Sequence, residues 1–294
     1  MTHAPHHHPH QDEHTHQDEH SHQDEHSHHD EQGLADMLDL DARVLGPHLD
    51  ELTGCVRRHA PETTRRIADM GAGTGTGALA LARRFTTAEI VAIDQSPVML
   101  DRLRAAAHAQ GLDDRLRAVQ ADLDAGWPPI GAVDVVWAAS SLHHVAAPDR
   151  VLRDIHAALT PGGLLAVVEM DGLPRFLPDD IGVGRPGLEA RCHAAAARTG
   201  WNAYPDWRPH LERAGFEMAE QRTLTVEMSP APPDAARYAH TVLSRFRSAL
   251  DGHLADDDLD ALDHLLAGDH PGAVLNRRDL TVRGSRTVWA ARRP

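Results

Sequence analysis

Short apolar segments alternate with helical segments along residues 66–170. The apolar segments are five to seven residues long, and the segments between them repeat apolar residues at helical spacing. We predict strands at 66–70, 90–94, 116–121, 133–138 and 164–170, and helices at 76–84, 97–109 and 149–159. Strands that are apolar on both faces and separated by helices predict a parallel sheet with helices covering both sides.

The pattern loosens after residue 170. A stretch rich in Pro and Gly, residues 171–205, precedes two segments that alternate like strands. We predict strands at 216–228 and 280–291, and helices at 187–198, 206–214, 234–250 and 256–266. The expected fold class is therefore α/β: a seven-stranded, mostly parallel sheet with one antiparallel strand, helices on both faces and helical lid insertions at 171–205 and 230–276.

Residues 1–32 differ in composition from everything that follows. A six-residue unit, QDEHTH and then QDEHSH twice, repeats from residue 11, and twelve of the 24 histidines lie in the first 30 residues. Without an apolar period the segment is predicted to be a disordered tail. Histidines among carboxylates bind divalent metals weakly; the alternatives are a plain solvated extension and a pH-dependent partner contact. The candidate tail ligands are His6, His7, His8, His14, His16, His20, His22 and His26.

Helical spacing of apolar residues resumes at residues 34–59, with Gly46-Pro47 as a predicted break between two helices. The predicted organisation is the tail, then one domain over residues 33–294. Within that domain we expect N-terminal helices at 33–60 and a ligand-binding core at 61–170. We also expect insertions at 171–205 and 230–276 on the side where a second reactant, the acceptor, would bind.

Charge and composition exclude several classes of protein. The net charge is −15, and the eight acids of the tail leave about −7 for the rest, which is not the basic footprint of a nucleic-acid-binding protein. No apolar run is long enough to span a membrane, and no secretory signal pattern is present. Two cysteines, Cys55 and Cys192, cannot by themselves make a disulfide framework or a Cys-based zinc site. We expect a cytoplasmic chain with no metal in the fold.

A glycine-rich loop follows the first predicted strand and opens a helix: Asp69-Met70-Gly71-Ala72-Gly73-Thr74-Gly75. Glycines allow a tight turn and a close approach of a ligand to the backbone. Asp94 ends the second strand, where an acid can accept the ribose hydroxyls, and Asp122 ends the third. Either acid could instead cap a helix. A ribose acid suits both a nicotinamide dinucleotide and an adenosine-containing methyl donor.

The order and spacing of these motifs resemble the class I S-adenosylmethionine-dependent methyltransferases. The resemblance covers about residues 60–170, and it is carried by Asp69–Gly75, Ile93-Asp94, Ala121-Asp122, the Val133–Trp137 strand with its Ser141-Leu142-His143-His144 loop, and Leu159–Leu164. It implies a Rossmann-like fold and is strongest for the small-molecule branch that includes quinone C-methyltransferases. The tail matches nothing in that family.

The resemblance implies S-adenosylmethionine as cofactor and a small-molecule methyl acceptor. It gives the donor contacts as Asp69 near the ammonium; Gly71, Gly73 and Gly75 along the methionine part; Asp94 on the ribose; Gln95, Met99, Asp122 and Leu123 around the adenine; and Ala138 facing the sulfonium.

Methyl transfer is an in-line displacement, which needs alignment and, for a protonated nucleophile, a base. His143, His144 and Glu169 are the candidates, although the His pair could equally support its loop. Candidate acceptor residues on the predicted 171–205 lid, which could instead pair with local acids or pack in the core, are Arg175, Arg185, Arg191, His193, Trp201 and Tyr204. Competing interpretations are a nicotinamide-dependent oxidoreductase and a metal-handling or regulatory protein that acts through its tail. A homodimer contact at 230–276 is also open.

Overall fold

A seven-stranded sheet organises the computed structural model, which describes residues 16–201, 205–268 and 270–294, with the backbone alone at 16–30 and Pro47. The strands are β1 (Arg66–Met70), β2 (Glu89–Asp94), β3 (Leu116–Gln120), β4 (Val133–Ala139), β5 (Leu159–Met170), β6 (Glu217–Met228) and β7 (Val282–Arg292). Their order across the sheet is β3-β2-β1-β4-β5-β7-β6. β7 runs antiparallel to both β5 and β6, and the other pairings are parallel. The predicted sheet with one antiparallel strand is confirmed.

Helices cover both faces of this sheet. They are α1 (His16–His59), α2 (Thr76–Arg84), α3 (Pro97–Ala109), α4 (Pro148–Ala158), α5 (Leu188–Thr199), α6 (Arg208–Arg213), α7 (Ala235–Ala249) and α8 (Asp256–Leu266), with 3₁₀ turns at Leu142–His144 and Val274–Asn276. The burial of α4 follows the helical spacing of apolar residues from which the helix was predicted. Its residues Val151, Leu152 and Ile155 are buried along one face.

The strand order fixes where a ligand can bind. From β1 the chain moves outward through β2 to β3 and then returns to β4, on the other side of β1. The connections that leave β1 and β4 lead to opposite halves of the sheet, and ligands of such sheets bind at this carboxyl edge. This is the edge at which the sequence places Asp69, Asp94 and Asp122.

Apolar side chains form two clusters against the sheet and a third beyond it. The third, here called the helical core, joins the middle of α1 to α5, α7 and α8; its larger members are Leu40, Val44, Phe176, Leu188, Tyr238, Leu243 and Phe246. The segment 171–205 thus contributes mainly to the helical core, on the same side as α1.

α1 corrects two predictions. It is continuous through Gly46-Pro47, where a break was expected. Residues on both sides of that point are buried, Leu40 and Val44 in the helical core and Leu52 and Val56 against the sheet; this packing holds the helix together despite the missing proline N–H.

The helix also begins at His16, inside the segment that composition predicts to be disordered. Extending a helix from a packed segment costs far less than nucleating one, so α1 can extend into this segment from the packed residues that follow it. The tail ligands His6, His7, His8 and His14 lie outside the described residues. None of the helices in the described ranges combines the length and the apolar character needed to cross a bilayer.

Candidate active site

A cavity of about 540 Å³ opens at the carboxyl edge of the sheet. Its floor is the loop between β1 and α2, and its sides are the ends of β2, β3 and β4. The structure brings together there eight of the predicted donor contacts: Asp69, Gly71, Gly73, Asp94, Gln95, Met99, Asp122 and Leu123. A cavity of this size is typical of a site for a small organic cofactor.

The loop after β1 can be built only with glycine at two positions. Gly71 and Gly73 have φ of +65° and +53°, a region that residues with a Cβ rarely adopt. A Cβ on Gly71 would also lie 2.5 Å from the Cβ of Ser141, in the loop after β4. The two loops therefore approach each other closely, and the backbone of Gly71 and Gly73 is exposed to the cavity.

Three buried polar atoms at the cavity have no hydrogen-bond partner among the residues that the structure describes. They are Oδ2 of Asp69, Nε1 of Trp137 and Oγ of Ser141. Buried polar groups are normally paired, so this set indicates a ligand. One acceptor beside two donors matches a zwitterion, whose ammonium would bind the carboxylate and whose carboxylate would bind the indole and the hydroxyl.

The buried position of Asp69 changes its acidity. The residue is 2% exposed, and burial raises the pKa of its carboxyl to about 7; the Ala78 backbone N–H lowers that pKa, and the negative charge of Asp94 raises it. A cation beside Asp69 would favour the ionised carboxylate. The site thus suits a positively charged group.

Asp94 links the ends of β2 and the glycine loop. Its Oδ2 accepts a hydrogen bond of 2.8 Å from the Gly73 N–H, and its Oδ1 accepts one of 2.9 Å from the Ser96 N–H. Each carboxylate oxygen retains a further lone pair, and Asp94 lines the cavity. Asp94 can therefore shape the loop and accept a pair of ligand hydroxyls at the same time.

Comparison with known proteins identifies the family. Residues 67–163 match the model of a methyltransferase domain. A demethylmenaquinone methyltransferase of Thermus thermophilus is 38% identical over 111 residues, which are 38% of this chain and 50% of that protein. A trans-aconitate 2-methyltransferase of Acidovorax sp. is 35% identical over 123 residues, 42% of this chain and 44% of that one. Residues 67–163 are therefore a methyltransferase domain, which supports the predicted resemblance to S-adenosylmethionine-dependent methyltransferases.

The likeness extends to the whole fold. A crystal structure of a proposed methyltransferase from Bacillus halodurans, 19% identical, covers 83% of this chain and 98% of its own, with a TM-score of 0.52. The aligned part of this chain spans about half the length of the curated relatives that it matches. These curated relatives bear the names of small-molecule methyltransferases.

Two predicted donor contacts of the methyltransferase domain do not line the cavity. Gly75 has φ of +92°, stands at the N-terminus of α2, and a Cβ there would lie 2.7 Å from Leu103 of α3; its role is helix packing. Ala138 is buried in the cluster on the opposite face of the sheet. Because strand side chains alternate, its neighbours Trp137 and Ala139 face the cavity instead.

The three predicted catalytic residues lie together: His143 and His144 in the 3₁₀ turn after β4, and Glu169 near the end of β5. His143 Nδ1 lies 2.7 Å from Oε2 of Glu169, which is 1% exposed, and Oε1 of Glu169 accepts the Leu142 N–H at 3.2 Å. The His143 and His144 rings are 3.9 Å apart. Only His144 of the three lines the cavity. Burial, followed by the charges of His143 and Arg245, lowers the pKa of His144.

α1 covers the cavity, which sequence reasoning did not predict. Leu34, Leu38 and Asp41 line it from this helix, and a Cβ on Gly73 would lie 3.0 Å from Leu38 Cδ1. Glu31 accepts a 2.7 Å hydrogen bond from the Ser96 hydroxyl. No motif marks these residues; their apolar period predicts a buried helix but not what the helix covers.

A second group that the sequence analysis missed is an ion pair on the cavity wall. Arg286 of β7 donates to both carboxylate oxygens of Asp41, at 2.8 and 2.7 Å, and the Tyr238 hydroxyl donates to Asp41 at 2.7 Å. Asp41 and Arg286 both line the cavity. Three elements, α1, α7 and β7, are thereby joined at the end of the cavity beyond the donor contacts.

The predicted acceptor residues on 171–205 lie elsewhere, which corrects the lid prediction. Arg185 and Arg191 pair with Asp258 of α8, at 3.1 and 2.8 Å. His193 and Trp201 pack edge-on against Phe246 in the helical core. Arg175 pairs its backbone with Arg283, and Tyr204 lies outside the described residues. Asp258 pairs with the two arginines, and His193 and Trp201 pack against an apolar neighbour, so residue type alone was a poor guide.

Proposed function

We propose that the chain transfers a methyl group from S-adenosylmethionine to a small-molecule acceptor. The observation that carries the proposal is the set of unpaired buried atoms on Asp69, Trp137 and Ser141, beside a glycine loop in a methyltransferase domain. Relatives named for demethylmenaquinone and trans-aconitate support a small acceptor.

The residues of the cavity fit the donor part by part. Asp69 would bind the ammonium of the methionine moiety, and Trp137 and Ser141 its carboxylate. Asp94 would accept the ribose hydroxyls, and the apolar side chains of Met99 and Leu123 would pack on the adenine. Acidic residues prevail on the walls, which suits a donor whose sulfonium is cationic.

The bound donor supplies a methyl carbon activated by positive sulfur. The protein aligns the acceptor behind that carbon, so that a bond forms from the nucleophile as the carbon–sulfur bond breaks and sulfur keeps the electron pair. The methyltransferase domain needs no covalent chemistry of its own. Its contribution is to hold both reactants in line and to exclude water beneath α1.

His144 is the residue best placed to take a proton from the acceptor. It lines the cavity, and its lowered pKa keeps the imidazole neutral and able to accept a proton at neutral pH. His143 lies between His144 and the buried Glu169. The contact with Glu169 holds the His143 ring in position, and the His143 ring in turn supports the ring of His144. His143 and Glu169 are therefore positioning residues in this proposal.

The acceptor binds between His144 and the Asp41–Arg286 pair in this proposal, rather than under 171–205. These groups line the part of the cavity not claimed by the donor contacts. Asp41 neutralises Arg286 through two hydrogen bonds, so the wall offers polar contacts of both signs with little net charge.

Isothermal titration with S-adenosylmethionine tests the proposal through a pair of glycine variants. A methyl group on Gly77 would lie 2.7 Å from Trp137 Nε1 and 3.0 Å from Asp69 Oδ2, in the space assigned to the methionine moiety. Gly77→Ala should therefore abolish donor binding. Gly54→Ala, whose nearest atom would be 3.9 Å away, should bind as the wild type does. Binding of NADH in place of S-adenosylmethionine would contradict the proposal.

Three further proposals concern the setting of the enzyme. A reducing cytoplasm suits the two free, buried cysteines, Cys55 and Cys192. A homodimer through 230–276 would cover Leu275, which is 45% exposed. The histidine tail would bind a divalent metal weakly, without a part in methyl transfer; turnover that persists after removal of residues 1–30, which keeps Glu31 at the cavity, would support this separation.

A further inference from the structure

Three side chains with metal-binding atoms converge away from the cavity, where the end of α1 meets β6. Cys55 and His59 lie four residues apart, on one face of α1, and Glu220 reaches them from β6. The Cys55 Sγ, the His59 Nε2 and a Glu220 carboxylate oxygen all lie within 4.8 Å of one another. None of the three lines the cavity, so methyl transfer does not account for the cluster.

We propose that Cys55, His59 and Glu220 form a binding site for one zinc ion. Thiolate sulfur, imidazole nitrogen and carboxylate oxygen are the ligands that zinc takes in proteins. Cys55 and Glu220 supply two negative charges once the thiol proton has passed to solvent, and together they balance the charge of the ion. Water supplies the fourth ligand of the tetrahedron.

The burial of the cluster fits such a site. Cys55 is 2% exposed and forms the dry base. The side chains of His59 and Glu220 are 21% and 25% exposed, which leaves a solvent side for entry of the ion and for the water ligand. Glu220 stands at an irregularity in the β6–β7 register, between Met218 and Glu220; bulges of this kind redirect a side chain.

The contacts already converge on one carboxylate oxygen. Oε2 of Glu220 is 2.6 Å from His59 Nε2, 3.5 Å from Cys55 Sγ and 3.4 Å from the Arg58 guanidinium. A metal ion would replace the hydrogen bonds from His59 and Cys55, with a small increase in their separation. Arg58 is 52% exposed and competes for the same oxygen, so it must turn outward when the ion binds.

The ion would fasten α1 to the edge strand of the sheet. α1 also covers the cavity through Leu38, Asp41 and Leu52. Zinc at the C-terminal end of α1 would therefore stabilise the helix that closes the donor site, without touching the reacting atoms.

Cobalt titration of the full chain separates this site from the histidine tail. A thiolate bound to Co²⁺ gives a charge-transfer band in the near ultraviolet, and the tail contains no cysteine. We expect a band that saturates at one thiolate-bound ion per chain and is displaced by Zn²⁺. It should be lost in Cys55→Ser and kept in Cys192→Ser, the matched control for the other buried thiol. Absence of the band in the wild type, or its persistence in Cys55→Ser, would overturn the proposal.

Two more variants keep the test decisive if Cys55→Ser does not fold. Glu220→Gln retains the thiol but loses a charged ligand and should bind Co²⁺ at least tenfold more weakly. Arg58→Gln removes the competing cation and should bind more tightly than the wild type. Unchanged affinity in both variants would overturn the assignment. Zn²⁺ should also raise the thermal midpoint of the wild type by a few degrees more than that of Glu220→Gln, because an ion that binds only the folded chain stabilises it.

Discussion

The residues around the cavity, here called the donor side, and the residues of the helical core differ in how their buried polar groups are paired. Around the cavity, Asp69 and Trp137 are buried with polar atoms left unpaired. In the helical core, Asp258 is equally buried but holds two arginines, Arg185 and Arg191. Glu189 there accepts the N–H groups of Phe176 and Leu177.

The difference separates a binding site from a structural network. An unpaired buried polar atom costs free energy that a ligand can recover, whereas a satisfied network stabilises the fold and offers a ligand nothing. Both regions contain the acids and arginines from which a sequence analysis would build a site. The pairing of the buried acids distinguishes them: Asp69 keeps an unpaired oxygen, whereas Asp258 and Glu189 are paired. Mutations on each side should therefore affect different measurements.

The largest effect is expected at Asp94. Asp94→Ala removes the acceptor for Gly73 and Ser96 N–H groups as well as the proposed ribose contact. Hydrogen bonds to a charged group contribute about 1.5–3 kcal/mol each, so donor affinity should fall roughly 100-fold or more by calorimetry. Asp101→Ala, an exposed acid of α3 paired only locally with Arg104, is the control. Equal loss in both variants would show that the effect is not specific to the site.

The helical core should respond in stability rather than in binding. Arg191→Met leaves Asp258, which is 3% exposed, with Arg185 alone and should lower the free energy of unfolding by about 2 kcal/mol. Donor affinity and the KM for the acceptor should not change. Denaturant unfolding checks the first expectation, with the exposed Arg198→Met of the same helix as control. A raised KM at unchanged stability would instead restore Arg191 as an acceptor residue.

This contrast also explains what the sequence could predict. The strands and helices of residues 61–170 were predicted to within one residue at each end because burial there follows local periodicity, except that β5 begins at Leu159, five residues before its predicted start. The glycine loop, Asp69 and Asp94 were found because their spacing follows from how a strand turns into a helix around a ligand. The prediction that Ala138 faces the cavity differs from the structure for a local reason as well. The direction of a side chain at the end of a strand reverses with a shift of one residue.

The acceptor side could not be predicted in the same way. Asp41 and Arg286 are 245 residues apart and meet because α1 crosses the end of β7. Arg191 pairs with Asp258 across 67 residues. No local pattern encodes such contacts, so whether an arginine meets an acid of the chain or an acid of the substrate depends on tertiary packing.

The third prediction uses the acidity of Asp69. Burial raises its pKa to about 7, whereas the ordinary value is 3.8. Only the ionised carboxylate pairs with the donor ammonium, so donor affinity should rise with pH up to about pH 7, at most tenfold per pH unit. The stability of the free protein changes with pH in the opposite direction to donor affinity. The folded state binds this proton more tightly than the unfolded state does. The resulting stabilisation is therefore complete below pH 3.8 and is lost as pH rises through about 7.

Asp69→Asn separates this carboxyl from the other titratable groups of the cavity wall. The variant should bind the donor weakly and with a flatter dependence on pH, when calorimetry is repeated from pH 5 to 9. An identical pH dependence in the wild type and in Asp69→Asn would mean that another group controls binding.

The smallest effect tests which element covers the donor. Leu38 packs on the glycine loop from α1, whereas Trp201 of the predicted lid packs on Phe246 in the helical core. Leu38→Ala removes apolar contact worth about 1 kcal/mol, roughly a fivefold loss of donor affinity. Trp201→Ala should leave that affinity unchanged and reduce stability. If Trp201→Ala weakened donor binding more than Leu38→Ala did, segment 171–205 would be the cover after all, and the division between donor side and helical core would fail.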